Sequence, residues 1–235
     1  MRDYSGGRRF TSPLIEVGVL SAKKDRAEHI IGFEPSDDMR EVALSKWVAC
    51  GQPSALEFRS GLSHELGLPS ESVDIVTCSQ SFHWMEPHST LQEFARVLRP
   101  GGIFAAYDYD WPPVFDWAID EQYQQLISYA DNQAAQLSPQ EQRAHKWRKN
   151  EHLQHIQESG LFLYSREIVF HHSEWCNAER YVNIALSQGG LQTALKLGAK
   201  ELHAEISKFR GQVSQAFAGE TREVIFSYRM RLGIR

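Results

Sequence analysis

The sequence predicts an α/β fold built on a mostly parallel sheet, and three observations carry the prediction. The first is the stretch from Val73 to Asp110, VDIVTCSQSFHWMEPHSTLQEFARVLRPGGIFAAYDYD. It reads as a buried strand (Val73–Cys78), a polar elbow (Ser79 to Trp84), an amphipathic helix (Ser89–Leu98), a Pro-Gly-Gly turn (Pro100 to Gly102) and a second buried strand (Ile103–Tyr107). That order is a β-α-β unit, the building block of parallel sheets. The second is the alternation of short apolar runs with helical patterns upstream of it. The third is the crowd of polar and aromatic residues just beyond each apolar run, where open α/β sheets bind ligands.

In chain order, Leu14–Gly18 is a short apolar strand ending in glycine, and His29–Glu34 is a second, ending in an acid. Ser36 can cap a helix whose first turn holds Asp37 and Asp38, favourable at the positive end of the helix dipole. Met39, Val42, Ala43 and Trp47 are expected on its core face, with a stop near Gly51–Pro53. Ala55–Arg59 is a third strand, followed by a polar loop. Beyond Asp110 the Trp111-Pro112-Pro113 break leads to a helix over about Asp120–Gln136. Ser138-Pro139-Gln140-Glu141 is a capping box that should open a helix ending before Gly160. Tyr164–His171 and Val224–Leu232 read as strands, while Leu202, Ile206, Phe209, Val213 and Phe217 mark one face of a helix. One domain is expected, with a cofactor-binding half over 14–110 and lid helices and closing strands over 111–235.

Bulk composition bounds the function. A net charge of −5 without a basic stripe argues against nucleic acid as a partner. No apolar run approaches the roughly 18 residues of a membrane helix, so no membrane partner is expected. Cys50, Cys78 and Cys176 are odd in number and widely spaced, which suits a reducing compartment, and with no apolar stretch behind the polar N-terminus a cytoplasmic protein is expected. His171 and His172 are adjacent on a strand and point to opposite faces, so no metal site is expected there. Oligomeric state is not legible.

A strand ending in an acid, one β-α step after a strand ending in glycine, is the arrangement that holds a nucleoside: the carboxylate accepts both ribose hydroxyls. Glu34 is the candidate, and the same logic serves NAD and S-adenosylmethionine. Ile30 to Met39 (IIGFEPSDDM), Gly67 to Trp84 (GLPSESVDIVTCSQSFHW) and Glu93 to Gly102 (EFARVLRPGG) then resemble the class I S-adenosylmethionine-dependent methyltransferases, in particular the small-molecule group with a His-Trp pair after the fourth strand. The resemblance implies a single Rossmann-like domain with seven strands ordered 3-2-1-4-5-7-6, the last antiparallel, helices on both faces, and S-adenosyl-L-methionine as cofactor.

Carried over by position, the resemblance assigns Gly18 to the cofactor turn, Glu34 to the ribose and Met39 to packing near the adenine. Gly61, Leu62 and Ser63 flank the adenine, and Ser79 and Gln80 line the methionine side. His83 is the candidate catalytic base, with Trp84, Tyr107, Asp108, Tyr109 and Asp110 facing the acceptor. The pattern departs at Glu16-Val17-Gly18-Val19-Leu20-Ser21, where only the first glycine of a glycine-rich loop is kept, and the segment before the first strand is short for a covering helix. Methyl transfer to a small molecule is the leading expectation. A non-catalytic protein of the same fold and a nicotinamide-dependent oxidoreductase stand as alternatives.

Overall fold

The computed structural model describes residues 27–138 and 145–235. β1 (Ile30–Phe33) and β2 (Leu56–Arg59) form a parallel pair, joined by α1 (Asp37–Ala49). The Ser36 hydroxyl accepts the Met39 N–H and caps α1 as expected. The expected core face is corrected: Ala43 is buried and Trp47 partly so, but Met39 is 42% exposed and Val42 is exposed as well. Leu44 and Val48 spread the apolar residues of α1 around the helix, so no single stripe can be buried at once.

β3 (Val73–Ser79), a 3₁₀ turn (Phe82–Trp84), α2 (Pro87–Val97) and β4 (Leu98–Val114) make the predicted β-α-β unit, with β3 and β4 parallel. α2 starts earlier than expected because the Glu86 carboxylate caps it, accepting the N–H groups of His88 and Ser89. Leu91, Phe94, Ala95 and Val97 form its buried face. The Pro-Gly-Gly segment is an irregularity inside β4 rather than a turn before it: Val73 pairs with Leu98, yet Ile75 pairs with Ile103. Gly101 sits there at φ +80°, and a Cβ on Gly102 would lie 2.9 Å from the Arg99 carbonyl.

α3 (Trp117–Leu137) is capped by Asp116 and ends at Ser138, whose N–H donates to the Ala134 carbonyl. Ser138 therefore closes α3. The rest of the expected capping box, Pro139-Gln140-Glu141, falls within 139–144, which lie outside the described residues. A 3₁₀ turn (Lys149–Glu151) runs into the short α4 (His152–Glu158), which is followed by Gly160 at φ +65°. β5 (Tyr164–Cys176), α5 (Ala178–Leu186), α6 (Gly189–Lys196), α7 (Leu202–Phe217) and β6 (Arg222–Ile234) complete the chain. On α7, Leu202, Phe209, Val213 and Phe217 are buried and Ile206 packs beside them, as the spacing predicts.

The expectation of one seven-stranded sheet is corrected. The described residues form a two-stranded sheet, β1-β2, and a four-stranded sheet in the order β3-β4-β6-β5. Gly101 and Gly102, near the start of β4, bond to Arg235 just past the end of β6, and Leu163 before β5 bonds to Ile234. β6 is thus antiparallel to both neighbours, and the larger sheet is mixed. These two sheets match the 3-2 and 4-5-7-6 parts of the expected order. The strand expected between them, Leu14–Gly18, lies outside the described residues.

The chain divides into two compact units. One contains the described residues up to Asp108, Lys146–Ile168 and Met230–Arg235. Its main core gathers Cys78, Phe82, Leu91, Phe94, Leu98, Phe104 and Ile156. The other contains Tyr109–His145 and Val169–Arg229, with a core of Tyr123, Leu126, Tyr181, Leu191, Phe209 and Phe217. No helix among the described residues is long and apolar enough to cross a membrane.

Candidate functional site

The site is built at the end of β3 and beside it on β4, which does not stop at Tyr107 as expected but runs on through Trp111-Pro112-Pro113 to Val114. Cys78 and Ser79 close β3 and are buried, and Gln80 then takes the left-handed conformation (φ +52°) while its N–H still donates to the Tyr107 carbonyl. That conformation turns the chain off the sheet into the Phe82–Trp84 turn. Phe82 anchors the turn, packed edge-on against Phe104 and His152. His83 is 4% exposed, and its carbonyl accepts the Trp147 N–H at 2.8 Å.

Asp108 follows Tyr107 on β4 and is 3% exposed. Around its carboxylate stand His83 Nδ1 at 3.6 Å, Lys149 Nζ at 3.0 Å, Arg231 Nη1 at 3.7 Å and His152 Nε2 at 3.9 Å. Lys149 also donates to Gln80 Oε1 at 2.7 Å, and Arg231 Nε donates to Glu167 at 2.8 Å. Among the described residues, Gln80 Nε2, His83 Nδ1 and both ring nitrogens of His152 are buried without a hydrogen-bond partner, while Asp108 Oδ1 is met by the Lys149 ammonium. Buried polar atoms are ordinarily satisfied, so this concentration of exceptions marks a place for water or ligand.

Burial sets the charge states. It pushes His152 down to about 4, with Asp108 opposing the shift. His83 is lowered for the same reason, reinforced by Lys149 and opposed by Asp108. Burial would raise the Asp108 carboxyl, but His83 and Lys149 outweigh it and hold it below its usual range. Lys149 is lowered by burial against the pull of Asp108. The centre thus holds two neutral imidazoles and an ionised carboxylate.

Ligand-type atoms of His83, Asp108 and His152 lie within 4.8 Å of one another. That donor set suits a transition metal, but Lys149 and Arg231 already stand against the carboxylate and would repel a dication.

Of the other predicted residues, Glu34 lies just past β1, with its N–H on the Arg59 carbonyl and its Oε1 accepting the Ser36 N–H. Gly61 lies against Phe33, where a Cβ would come 2.7 Å from the ring, so the ends of β1 and β2 are brought together. Leu62 is exposed, and Ser63 shares a hydrogen bond with Thr90. Gly18 lies outside the described residues. Trp84 is 54% exposed, with the Lys146 ammonium 5.4 Å from its ring centroid.

The structure brings Gln80, His83 and Asp108 together but engages Tyr109 and Asp110 elsewhere. Tyr109 packs on Trp111 and Tyr228, and Asp110 is ion-paired with Arg229 at 3.0 Å, all within the second unit. A cavity of about 270 Å³ in that unit, lined by Gln122, Tyr129 and Glu205 among others, contains none of the predicted residues. Sequence reasoning missed Lys149, His152 and Arg231. Lys149 and His152 sit one helical turn apart, so they share a face, but nothing in the sequence says which face meets the sheet.

Residues 16–106 match the model of a family described as a methyltransferase domain. An uncharacterised methyltransferase of Schizosaccharomyces pombe is 33% identical over 101 residues, covering 40% of this chain and 38% of that protein. The ubiquinone/menaquinone biosynthesis C-methyltransferase of Campylobacter jejuni is 34% identical over 102 residues, covering 42% and 41%. The match spans about two fifths of these relatives. A proposed type II methyltransferase from Anaeromyxobacter dehalogenans superposes with a TM-score of 0.60 over 98% of each chain at 16% identity, which establishes a shared Rossmann-like α/β fold. Residues 16–106 thus match a methyltransferase domain, and in them the chain is similar to the class I S-adenosylmethionine-dependent methyltransferases.

Proposed function

We propose that this protein transfers a methyl group from S-adenosyl-L-methionine to a small-molecule acceptor. The observation that carries the reading is the methyltransferase match over 16–106, which spans Glu34, Gln80 and His83 at the ends of their strands. Glu34 would accept the ribose hydroxyls, with Gly18, Met39, Gly61, Leu62 and Ser63 around the nucleoside. Ser79 and Gln80 would face the methionine part, and the buried, unpartnered Gln80 Nε2 is a donor suited to it. His83, Trp84, Tyr107 and Asp108 are assigned to the acceptor.

When bound, the cofactor supplies a methyl carbon already activated by its sulfonium. The residues here need only align the acceptor for in-line attack and keep water out. The exposed face of Trp84 suits an apolar part of the acceptor.

Titration with S-adenosylmethionine and its demethylated product, read as thermal shift or heat, tests the proposal. A ligand that binds only the folded state raises the melting temperature once its concentration exceeds Kd. Both ligands are expected to raise it, NAD is not, and Glu34→Ala should weaken binding by about tenfold or more through loss of charge-assisted hydrogen bonds. The single glycine kept in Glu16–Ser21 favours a second reading, a non-catalytic protein of this fold. No shift at millimolar cofactor would establish that second reading, and a larger shift with NAD would point to oxidoreductase chemistry.

A further inference from the structure

A side-chain amide offers an oxygen that accepts and a nitrogen that donates, and its surroundings decide which way round it sits. At Gln80 one neighbour decides it. The Lys149 ammonium, a donor with no lone pair, stands 2.7 Å from Oε1, and the reverse orientation would set two donors face to face. We propose that Lys149 is a positioning residue that holds the Gln80 amide with Nε2 presented to ligand, making a subsite at the end of β3 for the carboxylate of the cofactor's amino-acid part.

Geometry within the first unit carries this inference, which rests on the methyltransferase reading above. Gln80 is held at both ends: its backbone N–H donates to the Tyr107 carbonyl at 3.0 Å in the left-handed conformation, and its Oε1 accepts from Lys149. Lys149 is fixed in turn. Its ammonium also meets Asp108 Oδ1 at 3.0 Å, and the chain just before it is tied to the elbow after β3 by the Trp147 N–H on the His83 carbonyl. What is left over is Gln80 Nε2, buried and without a hydrogen-bond partner among the described residues. Its hydrogens call for acceptor atoms, because a buried donor left unmatched has given up its bonds to water for nothing.

The charges nearby decide which acceptor fits. Lys146, Lys149 and Arg231 stand against the carboxylates of Asp108 and Glu167, while the Arg148–Glu151 pair cancels itself. Burial keeps His83 and His152 neutral. Three cations facing two carboxylates favour one further negative charge and repel another ammonium. The carboxylate is the anionic group of S-adenosylmethionine, and an N–H bond to it is charge-assisted. The cofactor's own ammonium is a donor and has no bond to make with Nε2.

Two measurements on the whole chain test this. The first compares binding of S-adenosylhomocysteine with that of its decarboxylated counterpart, two ligands that differ in the carboxylate alone. The wild type should prefer the carboxylated ligand by about tenfold or more. Lys149→Met and Gln80→Leu should each remove most of that preference and leave the decarboxylated ligand nearly unaffected. Because one residue acts through the other, the double variant should lose no more than either single one. Equal weakening of both ligands by Lys149→Met would show a merely structural lysine, and additive losses would show a lysine that does not act through Gln80. Either result overturns the proposal, as does a wild type without preference.

The second measurement needs no cofactor. The Gln80 side-chain N–H signals, identified in nitrogen-15 spectra by their loss in Gln80→Leu, are followed as sodium acetate is added, with sodium chloride controlling for ionic strength. Acetate should shift them in the wild type and not in Lys149→Met, and saturating S-adenosylhomocysteine should abolish the effect. No shift in the wild type, or the same shift in Lys149→Met, overturns the subsite. An acetate effect that persists beside bound S-adenosylhomocysteine would give the subsite to the acceptor's carboxylate and overturn its assignment to the cofactor. A Lys149-dependent acetate effect in a protein that binds neither cofactor form would keep the subsite and sink the methyltransferase reading instead.

Discussion

His152 is fully buried, packs edge-on against Phe82, and neither of its ring nitrogens has a hydrogen-bond partner among the described residues. Burial holds it neutral down to about pH 4, against an ordinary value of 6.5. Between those values the unfolded chain binds a proton that the folded chain refuses. Stability is therefore complete above pH 6.5 and falls on acidification, by about 3 kcal/mol for this one group at pH 4. His83, lowered as well, acts in the same direction. Urea unfolding at pH 7 and pH 5 checks this: the wild type should lose stability at the lower pH, and His152→Leu should flatten the dependence. An unchanged slope in that variant would show that His152 is already satisfied or solvated in the folded state.

Within the β4 element, two adjacent glycines do different work. Gly101 supplies a left-handed backbone at φ +80°, with nothing near the position of its missing Cβ, whereas Gly102 allows a close approach. A Cβ there would meet the Arg99 carbonyl at 2.9 Å and the Asp74 carbonyl at 3.1 Å, and backbone oxygens cannot swing aside as side chains do. The irregularity lets Val73 pair with Leu98 and still brings Cys78 opposite Ala106 and Ser79 opposite Tyr107, so it sets the register that places Asp108. Gly102→Ala should destabilise by about 1–3 kcal/mol and perturb the His83 ring signals, because the shift propagates along β4. Gly101→Ala should cost about 1–2 kcal/mol from the left-handed conformation and leave those signals in place. Equal perturbation by both variants would contradict this division of labour.

Across the whole molecule, three free cysteines sample different surroundings: Cys50 half-buried beside α1, Cys78 buried in the first unit and Cys176 buried in the second. Burial pushes the Cys78 thiol up to about 12 and raises Cys176 as well. Thiolate is the reactive form, so both should be inert in the folded protein. Labelling with a thiol reagent at pH 8 should modify Cys50 first, with Cys78 and Cys176 modified only as denaturant opens their units. Mass spectrometry of the labelled peptides gives the order, and early modification of Cys78 would mean that the end of β3 opens without global unfolding.

Local pattern determined the elements. The apolar runs at 30–33, 56–59 and 73–79 became strands, Ser36 capped its helix, and the three- and four-residue steps from Leu202 to Phe217 became one buried face. These follow from side-chain periodicity and capping chemistry, which neighbours in sequence decide. The positions of Glu34, Gln80 and His83 just past their strands were legible for the same reason, whereas Asp108, expected just past a strand, lies inside β4. What the tertiary structure alone decided is which of them meet.

Lys149, His152 and Arg231 come from segments far along the chain, and no local rule aims them at Asp108. Their pairing depends on how α4 and β6 pack beside β4. The same holds for Tyr109 and Asp110, next in sequence to Asp108 yet engaged by Tyr228 and Arg229. Alternation along a strand says that neighbours face opposite ways, but only long-range packing says what waits on each side. The charge state of His83 was equally out of reach of the sequence, since burial sets it, and burial is a property of the fold.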